Sequence, residues 1–175
     1  MSNSTRDQFN DLLRSEGLNA GIIPVSNIPN EESRLNEVNR LGILNRDLDQ
    51  EAQYNALTQL AAIITKSQIG LINILGSNIQ QCKINFGFSV LESTLTEEMP
   101  REISICQYSL ASPHEPLIIN DLFLDERTKH FKKLEAYENL RFYAGSPLIS
   151  SRGFSIGTLC VIDDKIQYEP IHHFL

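Results

Sequence analysis

Two apolar stretches toward the C-terminal end form the clearest pattern along the chain. "RFYAGSPLIS" runs from Arg141 to Ser150, and "GFSIGTLCVID" runs from Gly153 to Asp163. They flank the turn Ser150-Ser151-Arg152-Gly153, so they predict a hairpin of two strands. Their nearly continuous apolar character is typical of strands in the centre of a sheet.

A second hairpin is predicted earlier in the chain. Ile69 to Leu75 is another short apolar run, and Gly76-Ser77-Asn78 supplies a turn after it. Apolar and polar residues alternate in the next stretch, "IQQCKINF", which predicts a strand with one buried face. "LIINDL" adds a third strand region between the hairpins. We expect Ile69 to Leu75 to lie beside Gly153 to Val161 in one antiparallel sheet.

Helical spacing is strongest between Asp49 and Thr65, where Asp47 and Gln50 form a capping-box pattern. Apolar side chains recur there at helical intervals: Tyr54, Leu57, Leu60, Ala61, Ile63 and Ile64. We expect this stripe to face the sheet. Shorter helices are predicted over three further segments: Arg6 to Gly17, Glu31 to Leu44 and Ile103 to Leu110. The fold class is therefore α+β, with a central antiparallel sheet of five to six strands and helices on its faces.

Composition narrows the possible partners and the location of the chain. Its 175 residues carry a formal charge of -7, which argues against binding to nucleic acid or to an anionic membrane surface. No apolar run approaches the roughly 18 to 20 residues of a membrane helix, and the N-terminus lacks the pattern of a secretory signal. Three widely spaced cysteines do not form a disulfide framework and fit a reducing, cytoplasmic setting.

Five ordered blocks carry a resemblance to a known family. They are "RLNEVNRLGIL", "PREISICQYSL", "LIINDLFLDER", "LRFYAGSPLIS" and "GFSIGTLCVIDD". Together they resemble the GAF domains, sensory modules of bacterial signalling proteins, of the type found with histidine kinases and diguanylate cyclases. The resemblance covers about Arg34 to Asp163 and implies the same α+β fold. It implies a non-enzymatic sensory role in signal transduction, with a small molecule bound between the sheet and the crossing loops.

The resemblance also implies a division of the chain. We expect an N-terminal extension or linker over 1–30, the GAF domain over 31–164, and a short tail over 165–175. Family members usually continue into a long closing helix, whereas "KIQYEPIHHFL" contains Pro170, which opposes one. The chain also has Asn45 where the family often has an aspartate. We therefore expect no output domain here, and an apolar sheet face that another element must cover.

Mapping the family's pocket onto this chain gives seven candidate ligand-binding residues. They are Cys106, Tyr108, Asp121, Phe142, Tyr143, Ala144 and Gly145. The stretch "FYAG" alternates bulky and small side chains, as both a cavity wall and a packed core require. One interpretation pairs Arg141 with Glu102 or Arg101 ahead of the short helix, which would hold that helix over the pocket; the other, slightly favoured, is that these are solvated loop charges. We predict Cys82 and Cys160 to be buried and unbonded.

The sequence leaves two alternatives to a sensory function. A ligand-free dimerisation or interaction module is one alternative, and a thiol-based methionine sulfoxide reductase using Cys106 is another, although "FYAGSP" lacks the cysteine of those enzymes. Cys106 precedes Gln107 and not the histidine of bilin-binding domains. The cyclic-nucleotide motif is absent, and His114, His130, His172 and His173 are too scattered for a metal site. No cofactor is identified. The expected partners are a small molecule and either a second copy, joined through N-terminal helices, or a separate signalling protein.

Overall fold

A six-stranded antiparallel sheet forms the centre of the molecule. The computed structural model describes residues 3–46, 48, 52–87, 98–134 and 137–168. The described α-helices are α1 (Asn3–Ala20), α2 (Glu31–Leu41) and α3 (Ala52–Thr65). The strands are β1 (Ile69–Leu75), β2 (Ile79–Phe86), β3 (Glu98–Pro100), β4 (Leu117–Ile119), β5 (Phe142–Ile149) and β6 (Ser155–Asp163). Their order across the sheet is β3-β2-β1-β6-β5-β4, which confirms the predicted α+β class.

The pairing of the two hairpins was also predicted correctly. β1 pairs with β6, so that Leu71 lies opposite Cys160 and Ile74 opposite Gly157. All seven residues of β1 are buried, as expected for a central strand. A Cβ atom at Gly157 would collide with the carbonyl oxygen of Asn73, so the close approach of these strands requires glycine there. The short edge strand β3 was not anticipated from the sequence.

The sheet has two faces with different covers. Leu71 and Leu75 of β1 belong to the main core, under a 3-10 helical segment, Ile105–Ala111, which we call the lid. Ile72 and Ile74 point to the opposite side, toward α2 and α3. We call these the lid face and the helix face. Side chains alternate between them because successive strand residues point in opposite directions.

The N-terminal part of the chain packs on the lid face. α1 continues past Gly17, so the prediction that Gly17 ends the helix was wrong. A Cβ atom at Gly17 would collide with Ile103, and the helix ends instead beside Gly21, whose φ of 95° suits a left-handed position. Ala20 and Ile22 are part of the main core. The proposed domain boundary near residue 30 stays a prediction.

α3 is rotated relative to its predicted orientation. Its buried residues are Thr58, Ala62 and Thr65, whereas Leu60 and Ile63 of the predicted buried stripe are exposed. The helix lies so close to β1 that a Cβ atom at Gly70 would collide with the carbonyl oxygen of Thr58. Only small side chains fit at that approach. The threonine hydroxyls donate hydrogen bonds to carbonyls within the helix, which removes the cost of burying them. The predicted capping residues lie outside the described part of the chain.

Candidate functional site

A small cavity lies between the lid and the centre of the sheet. Its volume is about 20 Å³, which is room for one water molecule. The residues around it come from β1, β2, β3, β5, β6, the lid and the loop before β5: Leu71, Asn73, Gln80, Cys82, Met99, Ile105, Cys106, Tyr137, Tyr143 and Ile162. Most of these side chains are apolar, so the few polar atoms among them determine what the cavity can bind.

Two amides bring unpartnered oxygen atoms to this cavity. Asn73 lies in the middle of β1 and is 1% exposed, and its Oδ1 has no hydrogen-bond partner within the protein. The Oε1 of Gln80, on β2, is likewise buried without a protein partner. Few buried polar groups in folded proteins lack a partner, because the loss of hydration costs about 1 to 3 kcal/mol. A bound polar group at this position would satisfy them.

The two buried cysteines meet at the same amide. The Nδ2 of Asn73 donates to the Sγ of Cys106 at 3.4 Å and to the Sγ of Cys160 at 3.5 Å. The hydroxyl of Tyr143 donates to the Sγ of Cys106 at 3.3 Å. All three cysteines are free; Cys160 is buried as predicted, and Cys82 is partly buried.

The two thiols differ in acidity. A hydrogen bond with the Cys160 thiol, helped by those from Tyr143 and Asn73, lowers the pKa of Cys106 to about 7, although burial opposes the shift. The same contact with Cys106, together with burial, raises the pKa of Cys160. Cys106 is therefore the thiol that ionises first, and Cys160 stays protonated beside it.

The seven predicted ligand-binding residues are divided between the two faces. Cys106 and Tyr143 line the cavity. Phe142 and Ala144 belong to a separate cluster with Val161, packed against Ala61 of α3. They could not join the other two, because neighbouring residues of β5 point to opposite faces. The structure thus does not gather the predicted set into one pocket.

Three of these seven residues have packing or structural contacts. A Cβ atom at Gly145 would collide with the ring and hydroxyl of Tyr143, so packing already accounts for this glycine. Tyr108 is half-buried, and its hydroxyl donates to the carbonyl oxygen of Ile23 at 3.1 Å. Burial raises the pKa of Tyr108 to about 12, so it is a neutral donor. The third residue, Asp121, forms an ion pair with Arg141.

The carboxylate of Asp121 pairs with Arg141 and not with a lid residue. The guanidinium donates to its two oxygens at 3.0 and 2.6 Å, and hydrogen bonding from Arg141 lowers the pKa of Asp121. The suggested pairing of Arg141 with Glu102 was wrong, since Glu102 pairs with Arg14 of α1. Arg101, the other suggested lid residue, pairs with Glu31. The N-terminal helices, not β5, therefore supply the ionic partners of the segment before the lid.

A larger groove opens on the helix face. Its volume is about 410 Å³. Apolar side chains of the sheet, α2, α3 and the connection between these helices dominate its lining: Leu41, Ile43, Arg46, Leu48, Tyr54, Leu57, Ile72, Ile74, Leu148, Ile149, Ser150, Ser151, Ile156 and Leu159. We call it the apolar groove. Its strand side chains include Ile72, Ile74 and Ile156, which are buried, so the expected uncovered apolar sheet face stays a prediction.

The described residues contain neither a metal-binding cluster nor a membrane-spanning helix. No group of three or more His, Cys, Asp or Glu side chains there is arranged to hold a metal ion. Among the described helices, none is both long and apolar enough to span a membrane. His172 and His173 lie outside the described residues.

Comparison with known proteins gives one curated relative and many similar structures. No family model matches the chain. A cyclic di-GMP phosphodiesterase of Pseudomonas aeruginosa is 29% identical over 133 residues, which are 76% of this chain. The chain spans about a fifth, 21%, of the length of that relative. The similarity is therefore to one part of a larger protein.

The similar structures share one fold. The GAF domain region of a Geobacter sulfurreducens protein has a TM-score of 0.55 at 18% identity, covering 75% of this chain and 89% of that one. The GAF domain of an Acinetobacter phosphoenolpyruvate-protein phosphotransferase gives 0.51 at 13%, covering 82% and 81%. A type II free methionine-R-sulfoxide reductase from Thermoplasma acidophilum gives 0.54 at 15%, covering 69% and 79%. The sheet order, the lid and the flanking helices of this chain therefore constitute a GAF-domain fold.

Proposed function

We propose that this chain is a non-enzymatic sensory domain of a bacterial signalling protein, which binds a small polar molecule between the lid and the sheet. The observation that carries the proposal is the pair of unpartnered oxygens on Asn73 and Gln80, buried beside the cavity. A ligand that donates hydrogen bonds would compensate both. The GAF fold supports a regulatory role, and the phosphodiesterase relative is consistent with a signalling context.

The size of the cavity sets a condition on this binding. About 20 Å³ admits a water molecule but no metabolite, so the lid has to move outward to admit a larger ligand. The lid is well placed to report such a movement. Gln107 on the lid accepts a hydrogen bond from the backbone nitrogen of Val25, at 2.9 Å, in the segment after α1. Ligand entry would thus disturb the N-terminal segment, which is a route to a partner domain.

Native mass spectrometry and thermal shift measurements test ligand binding. We expect the purified protein to carry an additional small-molecule mass, or a panel of cyclic dinucleotides, cyclic nucleotides and amino acids to raise its Tm. Asn73→Leu should abolish either effect, because leucine offers no hydrogen-bonding group. Thr58→Val, a buried polar-to-apolar change on the helix face, is the matched control and should keep it. Apoprotein mass with no Tm response to any member of the panel would contradict the proposal.

A second function, association with another copy of the chain, is favoured by the apolar groove. The large apolar side chains of α3 beside it are Leu57, Leu60, Ile63 and Ile64, and they are 41% to 61% exposed. An exposed apolar surface of this kind marks protein contacts. We propose a homodimer in which α3 of each copy covers the groove of the other. This proposal places α3 at the dimer contact, where the sequence had suggested the N-terminal helices.

Sedimentation velocity tests the dimer. We expect the protein to sediment as a dimer and the double variant Leu57→Glu/Leu60→Glu to sediment as a folded monomer, because two carboxylates would be desolvated at the contact. Leu124→Glu is the control: its side chain is 75% exposed and is not part of the groove lining, so this variant should remain dimeric. A wild-type protein that is monomeric at high concentration would overturn the dimer without affecting the ligand proposal.

A further inference from the structure

The buried thiols of Cys106 and Cys160 form a pair that the sensory role does not require. They come from different elements: Cys106 is on the lid, and Cys160 is on the central strand β6. Both sulfur atoms lie within 3.5 Å of the same nitrogen, Nδ2 of Asn73. Cys82, the third cysteine around the cavity, has its Sγ directed at the carbonyl oxygen of Ile84, at 3.4 Å. The Asn73 amide therefore brings Cys106 and Cys160 together.

We propose that Cys106 and Cys160 are a redox-active pair which a small hydroperoxide oxidises to a disulfide, fastening the lid to the sheet. The two sulfurs are held at one amide, and the cavity beside Cys106 is of the size of a water molecule. Hydrogen peroxide has only two heavy atoms, so among common oxidants it needs the least outward movement of the lid to reach Cys106. The pair would act whether or not the cavity also accepts a ligand.

The chemistry assigns a different role to each cysteine. The Cys106 thiolate, stabilised by donors from Tyr143 and Asn73, attacks one oxygen of hydrogen peroxide. The O–O bond breaks, hydroxide leaves, and Cys106 becomes a sulfenic acid. Hydroxide combines with the proton that Cys106 released. Cys160 then attacks the sulfenic sulfur as its thiol proton passes to the departing hydroxide, the S–O bond breaks, and a second water leaves as the disulfide forms. Two thiols and one peroxide thus give one disulfide and two waters.

Only the lid has to move for this bond to form. β6 is paired on both sides, with β1 and β5, so Cys160 is fixed in the sheet. The lid is a short 3-10 segment that packs on β1, β5 and β6 without strand pairing. Its movement toward β6 would bring the sulfurs to the disulfide length of about 2.05 Å. The oxidised lid could not open outward, so oxidation would block entry to the cavity.

Peptide mapping of the intact protein tests the pair directly. The reduced full chain is treated with hydrogen peroxide, unfolded, alkylated at the remaining thiols and digested. We expect a cross-linked peptide joining Cys106 to Cys160, with Cys82 alkylated. Cys82→Ser should still give the peptide that joins Cys106 to Cys160, whereas Ser77→Ala, in the exposed turn after β1, should give it at the wild-type rate. Cys106→Ser should slow peroxide-dependent thiol loss by about tenfold or more, because the thiolate is the nucleophile.

Several outcomes would overturn the proposal, and the first needs no variant. Wild-type protein whose thiols survive peroxide while folded, or whose disulfide includes Cys82, excludes the pair. Sulfinic acid at Cys106 without a disulfide excludes Cys160 as its partner. A disulfide that forms with free methionine sulfoxide but not with hydrogen peroxide would instead assign the chain to sulfoxide reduction. Cys160→Ala, which keeps the site apolar, should accumulate sulfenic acid at Cys106, and its absence in folded variant protein would also count against the mechanism.

Discussion

Among the described residues, the two faces of the sheet differ in the size of the space beside them and in the side chains that line it. On the lid face, the lid and the N-terminal segment close over a cavity of about 20 Å³ that contains amide and thiol groups. On the helix face, α2 and α3 leave an apolar groove of about 410 Å³. Polar atoms inside a closed core are suited to selective binding or chemistry, whereas an open apolar surface is suited to contact with another protein. The two proposed functions, ligand binding and dimerisation, can therefore be tested separately.

Truncating a side chain on the closed face should have the largest effect on stability. Phe131 is fully buried and packs edge-on against Tyr137, with ring centroids 4.9 Å apart. Phe131→Ala should lower the free energy of unfolding by about 3 to 5 kcal/mol, because the cavity it leaves cannot collapse. Urea denaturation measures it. Leu124→Ala in the same loop region should change stability by no more than about 0.5 kcal/mol. If both variants lowered the free energy of unfolding equally, Phe131 would not be more tightly packed than Leu124.

The contact of α3 with the sheet should be the next most sensitive feature. Gly70→Ala places a Cβ atom against the carbonyl oxygen of Thr58, which is backbone and cannot rotate away. We expect a loss of about 1 to 3 kcal/mol in the free energy of unfolding from overpacking. Ser77→Ala, in the exposed turn after β1, is the control. If Gly70→Ala were neutral by urea denaturation, α3 would not lie as close to β1 as described.

The ion pair of Asp121 and Arg141 should give a smaller effect that depends on pH. Arg141→Met should cost about 1 kcal/mol at pH 7, since the arginine side chain is partly exposed. Arg141 lowers the pKa of Asp121, so the pair stabilises the fold above the unfolded-state pKa of about 4 and loses this contribution as the pH falls. The difference between wild type and variant should therefore shrink below about pH 4. A difference that is constant from pH 7 to pH 3 would assign the effect to packing against Phe123.

The smallest effect on monomer stability is expected on the open face. Leu60 is 52% exposed, so Leu60→Gln should leave the free energy of unfolding within about 0.5 kcal/mol of wild type at a concentration where the protein is monomeric. Its effect should appear instead in the sedimentation of concentrated protein. A large loss of stability in the monomer would mean that Leu60 is buried within one chain.

The fold could be predicted further than the site could. The apolar runs of β1, β5 and β6 are local properties, and each strand was recognised where it lies. β3 was missed because Glu98 and Pro100 are residue types depleted in strands. Four of the seven predicted binding residues came from the single stretch "FYAG", so Phe142 and Ala144 were grouped with Tyr143 although their side chains point to the other face. The signal that could have separated them was strand alternation itself. Asn73 was overlooked because a polar residue within an apolar run reads as an interruption.

Five of the six described strands, the approximate helices and the pairing of the two hairpins follow from local sequence patterns, because periodicity and turn residues act over a few neighbouring positions. The tertiary structure was needed to show which side of α3 is buried. There the close approach to Gly70 selects Thr58 and Ala62 over larger apolar side chains. It also decided that Cys106 and Cys160, 54 positions apart in the chain, meet at Asn73. Such meetings depend on strand order and on the path of the lid, which no local pattern encodes.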